Sequence, residues 1–248
     1  MIPKIIHYCW LSNEPIPNNM KRCMTSWKKI LPDYEFMLWD FKRFPKHQSQ
    51  WVTDAFDNRK FAFAADYIRL YALYNYGGIY LDMDVEVLKT FTPFLSLNTM
   101  ICWQNGTPGL EVAAMGVEKG ANWVKCCLDY YDNNSFINMD GSFNTKVMPE
   151  VIEVNLRERG INLFNVGNLN EAKKISASIP VFPSEYFSPK NYNTKELNIT
   201  QNTVCIHHFD GSWQKTSDKF KHILIQIIGP SLTNMIVKIK RLHYKIKK

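Results

Sequence analysis

Two rhythms of apolar residues alternate along the first half of the chain. Residues 4–10 are a short β-rich run and residues 34–38 follow a period of two, so both predict strands, whereas residues 18–30, stopped by Pro32, and residues 61–76 follow the helical period. Gly77-Gly78 closes the second helix, where glycine supplies a positive-φ cap. Strands are predicted at 79–88, 100–104 and 111–117, and helices at 121–131 and 148–159. Residues 160–200 are rich in Asn, Ser and Pro and read mostly as loop, with Pro180, Pro183 and Pro189 as breakers. A last strand is expected at 203–209, and residues 219–248 read as helical except at Gly229-Pro230. No repeat or low-complexity linker interrupts the pattern. The alternation predicts one α/β domain over 1–214, with a mainly parallel central sheet flanked by helices, and a helical tail over 215–248.

Composition sharpens this picture mainly through the position of the charge. The chain carries a net charge of +7, which suggests a polyanionic partner. Residues 1–214, however, hold 21 basic and 22 acidic side chains, while 215–248 hold nine basic groups and one acid. The body is neutral and the tail is basic, so a nucleic-acid groove on the folded body is not expected. The six cysteines form no CxxC pair, and the adjacency of Cys126 and Cys127 suits neither zinc nor an unstrained disulfide; reduced, mostly buried thiols are expected. The N-terminus shows no cleavable signal pattern, and the strongest late apolar run, 223–228, is too short to span a bilayer. These features predict a cytoplasmic protein.

Candidate chemistry concentrates in three places. In an extended 79–88 segment, Tyr80, Asp82, Asp84 and Glu86 would share one face. Carboxylates two residues apart lie about 7 Å from each other, and a divalent cation between them would relieve their repulsion. The plain alternative is a solvated strand face beside a tight turn. On the preceding helix, Asp66 and Arg69 are the only charges in a long apolar run and stand three apart. They form either an intrahelical ion pair or a set of polar contacts to sugar hydroxyls and phosphate oxygens. The third place is His207-His208-Phe209-Asp210-Gly211-Ser212-Trp213, where neighbouring histidines on a strand point to opposite faces, so at most one serves as a ligand. Imidazole suits Mn²⁺ better than Mg²⁺.

The run from Phe63 to Arg69 (FAADYIR), continued by Gly77-Gly78-Ile79-Tyr80-Leu81-Asp82-Met83-Asp84, resembles the sugar-binding DxD region of the family 32 glycosyltransferases. That family includes yeast mannosyltransferases, α1,4-galactosyltransferases and bacterial capsule or lipopolysaccharide sugar transferases. The opening Ile2-Pro3-Lys4-Ile5-Ile6-His7-Tyr8-Cys9-Trp10 and the closing His207–Trp213 segment are similar to the bacterial members. The resemblance implies a GT-A-like, Rossmann-like fold, a nucleotide-diphosphate sugar donor, a divalent metal (Mn²⁺, with Mg²⁺ as the alternative) and retention at the anomeric carbon. It implies metal ligation by Asp84, Asp82 and His208, and donor-sugar contacts from Asp66 and Arg69. It also implies that Asp82 contacts ribose or completes the metal shell, that Trp10 stacks on the base, and that Ser212 and Trp213 close over the diphosphate. The expected acceptor is a glycan or a lipid-linked glycan in cell-surface polysaccharide synthesis, with Gln104, Asn105 and residues 106–109 as an acceptor-side loop.

The tail alternates basic residues with Ile and Leu, and such a segment either lies on an anionic membrane or forms the solvated end of a packed helix. Rival functions are a non-catalytic nucleotide-sugar or glycan-binding protein of the same fold and a metal-dependent phosphoesterase or nuclease. The latter class recruits further Asp or His ligands at several strand ends, and this chain offers few.

Overall fold

The computed structural model describes residues 1–210; the expected helical tail, Ser212, Trp213 and the domain boundary at 214 lie outside the described residues. The elements run β1 (Ile5–Cys9), α1 (Asn18–Ile30), β2 (Glu35–Trp39), α2 (Gln50–Asp57), α3 (Phe61–Tyr76), β3 (Gly78–Leu81) and β4 (Val85–Val87). They continue with β5 (Thr99–Trp103), β6 (Leu110–Val117), α4 (Asn122–Asn133), α5 (Met148–Glu158), β7 (Leu163–Asn165), α6 (Leu169–Ala172), β8 (Ile179–Phe182) and β9 (Cys205–His207).

Seven strands form one sheet in the order β2-β1-β3-β6-β5-β8-β7, and β4 and β9 form a separate two-stranded ribbon. The pairs β1–β2, β1–β3, β5–β8 and β7–β8 are parallel, and β6 runs antiparallel to both β3 and β5. This is the mostly parallel, helix-flanked α/β sheet expected. Period-two alternation splits its side chains between two apolar layers. Ile79 and Leu81 enter the layer that holds Trp27, Phe91 and Phe187, while Tyr80 enters the layer under α3 and α4 with Leu70, Leu73 and Trp123. Burying both faces explains why β3 and β6 read as nearly continuous apolar runs. Five cysteines are buried, Cys9 is partly buried, and all six are free thiols.

The α3–β3 junction depends on its two glycines. Gly77 caps α3 at φ 66°, with its N–H on the Leu73 carbonyl at 2.9 Å. Gly78 takes φ 107°, where a Cβ would stand 2.7 Å from the Ile5 carbonyl oxygen. Buried His7 ties the junction to the sheet: its Nε2–H donates to the Gly77 carbonyl at 2.7 Å, and its Nδ1 accepts from Trp39 Nε1 at 3.0 Å.

One expectation is corrected, and further elements are added. The segment 79–88 is not one strand: it turns at Asp82–Asp84, with the Val85 N–H on the Asp82 carbonyl at 3.0 Å, and then leaves the main sheet. Residues 160–200 are mostly loop, as expected, but they also contain the short elements β7, α6 and β8. Pro180 is accommodated because Ile179 and Val181 bond towards β7, leaving Pro180 facing β5, where pairing starts only at Val181. Helix α2 is additional; its Ser49 side chain accepts the Val52 N–H, a capping signal visible in the sequence. Among the described residues no helix is long and apolar enough to cross a membrane.

Candidate functional site

Strands β1 and β3 run parallel and end side by side, so Trp10 and Asp82 leave the sheet at the same carboxyl edge. Ligands of open α/β sheets bind at such edges. Asp82 keeps a ladder bond to β6, its N–H reaching the Ala113 carbonyl at 2.8 Å, before the chain turns through Met83 and Asp84 into β4. Strand β4 then pairs antiparallel with β9, placing Val85 opposite His207. That register brings the histidine pair to the acidic turn.

The two histidines point apart, and the structure selects the one the resemblance did not. His207 Nε2 lies 3.5 Å from Asp84 Oδ1, whereas His208 Nε2 turns away to Glu86 Oε2 at 2.9 Å. Among the described residues, Asp82, Asp84 and His207 offer ligand atoms within 4.8 Å of one another. The geometry therefore brings His207, and not the expected His208, to the two acids. The cause is strand alternation: His207 is the last residue of the β4–β9 ladder, and only its side faces the acids. Glu86, once grouped with Asp82 and Asp84, pairs with His208 outside this cluster.

Behind His207 stands Glu111 of β6, 1% exposed. Its Oε2 accepts from Ser188 Oγ at 2.7 Å and faces His207 Nδ1 at 3.2 Å, and its Oε1 accepts the Ala113 N–H at 2.9 Å. Burial works against the charged forms of both partners, yet the Glu111 carboxyl is held below its ordinary range and the His207 imidazole well above its own, because each meets the other's charge. Burial also opposes the charge on Asp84, but His207 and the Asp210 N–H, at 2.9 Å from Oδ2, bring its pKa down to about 2. Sequence reasoning missed Glu111, although a lone carboxylate inside the apolar 110–117 strand was a visible signal.

Arg69 acts as a strut. Its Nη2 donates to Asp82 Oδ1 at 2.9 Å and lies 3.7 Å from Asp66 Oδ1, while Nη1 donates to the Val112 carbonyl at 2.7 Å. Its guanidinium stacks over Tyr80 at 4.3 Å from the ring centre. With Arg69 5% exposed, these bonds fix Asp82 and hold α3 to β6. Asp66 is enclosed beside them, and burial raises its pKa to about 6 despite the opposing Arg69 charge. Trp10 is half-buried at the edge, with its N–H on the Trp39 carbonyl at 3.0 Å and its indole Nε1 on the Glu14 carbonyl at 3.0 Å.

The 104–109 turn is docked on the loop after β8. The Tyr192 N–H reaches the Asn105 carbonyl at 2.8 Å, and Asn105 Nδ2 reaches the Pro189 carbonyl at 3.1 Å. Gly106, at φ 89°, lets Asn191 approach to where a Cβ would stand 2.5 Å from its Oδ1.

Three ligand atoms, two from carboxylates and one from an imidazole whose other nitrogen bonds a buried carboxylate, fit a divalent transition metal.

Residues 17–102 match the family model described as a glycosyltransferase sugar-binding region containing the DXD motif. An uncharacterized glycosyltransferase, L373, of Acanthamoeba polyphaga mimivirus is 34% identical over 223 residues, covering 86% of this chain and 84% of that protein. The chain belongs to the DXD-motif glycosyltransferases. The inositol phosphoceramide mannosyltransferase 3 of Schizosaccharomyces pombe is 35% identical to this glycosyltransferase over 123 residues, which is 48% of the chain. The chain spans 34% of the length of that fungal relative. Among solved structures, the PaToxG glycosyltransferase aligns with a TM-score of 0.47 at 18% identity, over 64% of this chain and 69% of that one.

Proposed function

We propose that this glycosyltransferase moves a hexose from a nucleotide-diphosphate sugar to a glycan or lipid-linked acceptor, with retention of configuration, in the building of a cell-surface glycan. The observation that carries this reading is the convergence of Asp82, Asp84 and His207 at the sheet edge, with Glu111 bonded behind the histidine. Those three side chains would hold a divalent cation, Mn²⁺ by their donor set. When bound there, such a cation supplies Lewis-acid neutralisation of the charge that develops on the diphosphate.

The chain's own residues supply the rest. Arg69 keeps Asp82 aimed at the site, and Asp66 accepts from hydroxyls of the donor sugar. Trp10 stacks on the base. As the anomeric carbon–oxygen bond breaks, its electron pair passes to the β-phosphate. The acceptor oxygen bonds the anomeric carbon from the same face, and its proton goes to that departing phosphate oxygen. The names of the fungal relatives make mannose the first sugar to test. The basic 215–248 tail would keep the enzyme on the cytoplasmic face of a membrane that carries the acceptor.

A panel of UDP- and GDP-sugars with Mn²⁺ tests the reading through release of free sugar. Hydrolysis of one donor, abolished by EDTA and by Asp84→Asn, is expected. Hydrolysis that survives EDTA, or none in the whole panel, would overturn it.

A further inference from the structure

A cation the reaction scheme has not used sits next to the acidic cluster. Lys195 belongs to the loop between β8 and β9, and its Nζ lies 4.8 Å from the Tyr192 ring centre and 5.0 Å from that of Phe209. The two rings meet edge to face at 5.2 Å, and Phe209 lies 4.0 Å from the His207 ring. One aromatic ring therefore separates this ammonium from the histidine of the metal cluster.

The ammonium is withdrawn from solvent without a hydrogen-bond partner among the described residues. Burial and the neighbouring Lys190 lower its pKa to about 8, while Asp210 and Asp84 pull the other way. Those acids are committed elsewhere: Asp84 to His207 and the Asp210 N–H, and Asp210 Oδ2 to Asn19 Nδ2 at 2.5 Å. Lys190 adds a second positive charge on the same loop, its Nζ donating to the His208 carbonyl at 2.9 Å.

The local backbone is built to hold Lys195 there. Its φ is 62°, unusual for a residue with a side chain, and its N–H bonds the Asn191 carbonyl at 2.9 Å. Asn191 Oδ1 also accepts the N–H groups of Asn193 at 2.9 Å and Thr194 at 3.0 Å, which fixes the turn. Phe209, the other wall of the cage, likewise takes φ 56°. Keeping an ammonium dry costs free energy unless an anion meets it, and two aromatic faces recover only part of that cost.

We propose that Lys195 is a binding residue for the diphosphate of the nucleotide donor. This inference rests on the donor assignment above. Asp82, Asp84 and His207 meet the diphosphate through a cation. Lys195 meets it directly with an ammonium, whose three N–H donors suit phosphate oxygens. The same charge stabilises the negative charge that develops on the leaving group as the donor's anomeric carbon–oxygen bond breaks.

The test compares the full chain with Lys195→Met, which keeps the stem in the aromatic cage, and Lys195→Arg, which keeps the charge. Calorimetric titration with UDP and GDP in the presence of Mn²⁺ is set beside titration with the corresponding nucleosides, and Mn²⁺ affinity is read separately by electron paramagnetic resonance. Loss of a charge-assisted hydrogen bond predicts that Lys195→Met weakens nucleoside-diphosphate binding about 10- to 100-fold. Nucleoside binding, Mn²⁺ affinity and thermal midpoint should stay close to wild type, and Lys195→Arg should recover most of the loss. Unchanged diphosphate affinity in Lys195→Met overturns the inference. So does an equal loss of nucleoside and Mn²⁺ binding, which would mark Lys195 as a structural loop residue. A wild-type chain that binds neither diphosphate overturns the donor assignment itself, and the inference with it.

Discussion

Glu111 Oε2 faces Nδ1 of His207 at 3.2 Å from inside the sheet, and this contact fixes which imidazole nitrogen looks out at Asp84. An outer carboxylate of this kind orients a metal-binding histidine and raises its basicity. Glu111→Gln should therefore weaken Mn²⁺ binding about 10- to 100-fold, read by electron paramagnetic resonance. Unaltered affinity would mean that the pair only fills the core.

Arg69 is expected to matter for the fold before it matters for the donor. It bonds both Asp82 and the Val112 carbonyl while almost fully buried. Removing one partner of such a pair leaves a charge uncompensated, so Arg69→Met should cost about 3 kcal/mol in denaturant unfolding. A loss within experimental error would show that Asp82 needs no strut.

His7 gives the fold a pH dependence of predictable sign. Burial first, and the Arg43 charge after it, depress its pKa from 6.5 to about 4 against the opposing Gly77 bond. The unfolded chain then takes up the proton that the folded chain refuses, so this group's contribution is complete above pH 6.5 and is lost as pH falls towards 4. Asp66 acts with the opposite sign: its raised pKa favours the protonated carboxyl in the fold, and its contribution is lost as pH rises between about 4 and 6. The wild-type curve mixes the two. His7→Gln keeps a donor for Gly77 and an acceptor for Trp39, and it does not titrate. The stability difference between wild type and His7→Gln should shift by about 2 kcal/mol against wild type between pH 7 and pH 5. Parallel curves would refute the neutral, doubly bonded His7.

Gly106→Ala probes the wall made by the 104–109 turn and the loop after β8. Its positive φ and the closeness of Asn191 leave no room for a methyl group. The substitution should displace the 189–195 segment and, through Lys195, weaken nucleoside-diphosphate binding more than it lowers the thermal midpoint. Wild-type binding would show that the two loops move independently.

The sequence carried those elements whose causes are local. Helix α3 was readable end to end because a long run with only two charges, Asp66 and Arg69, stops at Gly77-Gly78, and α1 because Pro32 follows it. The break between β3 and β4 was not readable. It is made by the pairing of Val85 with His207, 122 residues away in the chain, and no local period encodes it. That same pairing decides between His207 and His208, which adjacency left open and the family resemblance assigned the other way. Strand β8 was hidden by Pro180, harmless only because of which neighbour it faces. Asp66, Arg69, Asp82 and Asp84 stood out as charges in apolar surroundings. Glu111 met the same criterion and was passed over because nothing near it in sequence completes a motif.

In the proposed reaction Asp82, Asp84 and His207 hold the cation that drives donor cleavage. The most direct measurement is Mn²⁺-dependent hydrolysis of the preferred nucleotide sugar by His207→Ala beside His208→Ala. His208 contributes to the acidic turn through its backbone N–H, bonded to the Asp84 carbonyl at 3.0 Å, which alanine preserves. His207→Ala should lose most of the metal-dependent rate while His208→Ala retains most of it. Loss in His208→Ala with activity kept in His207→Ala would contradict this assignment.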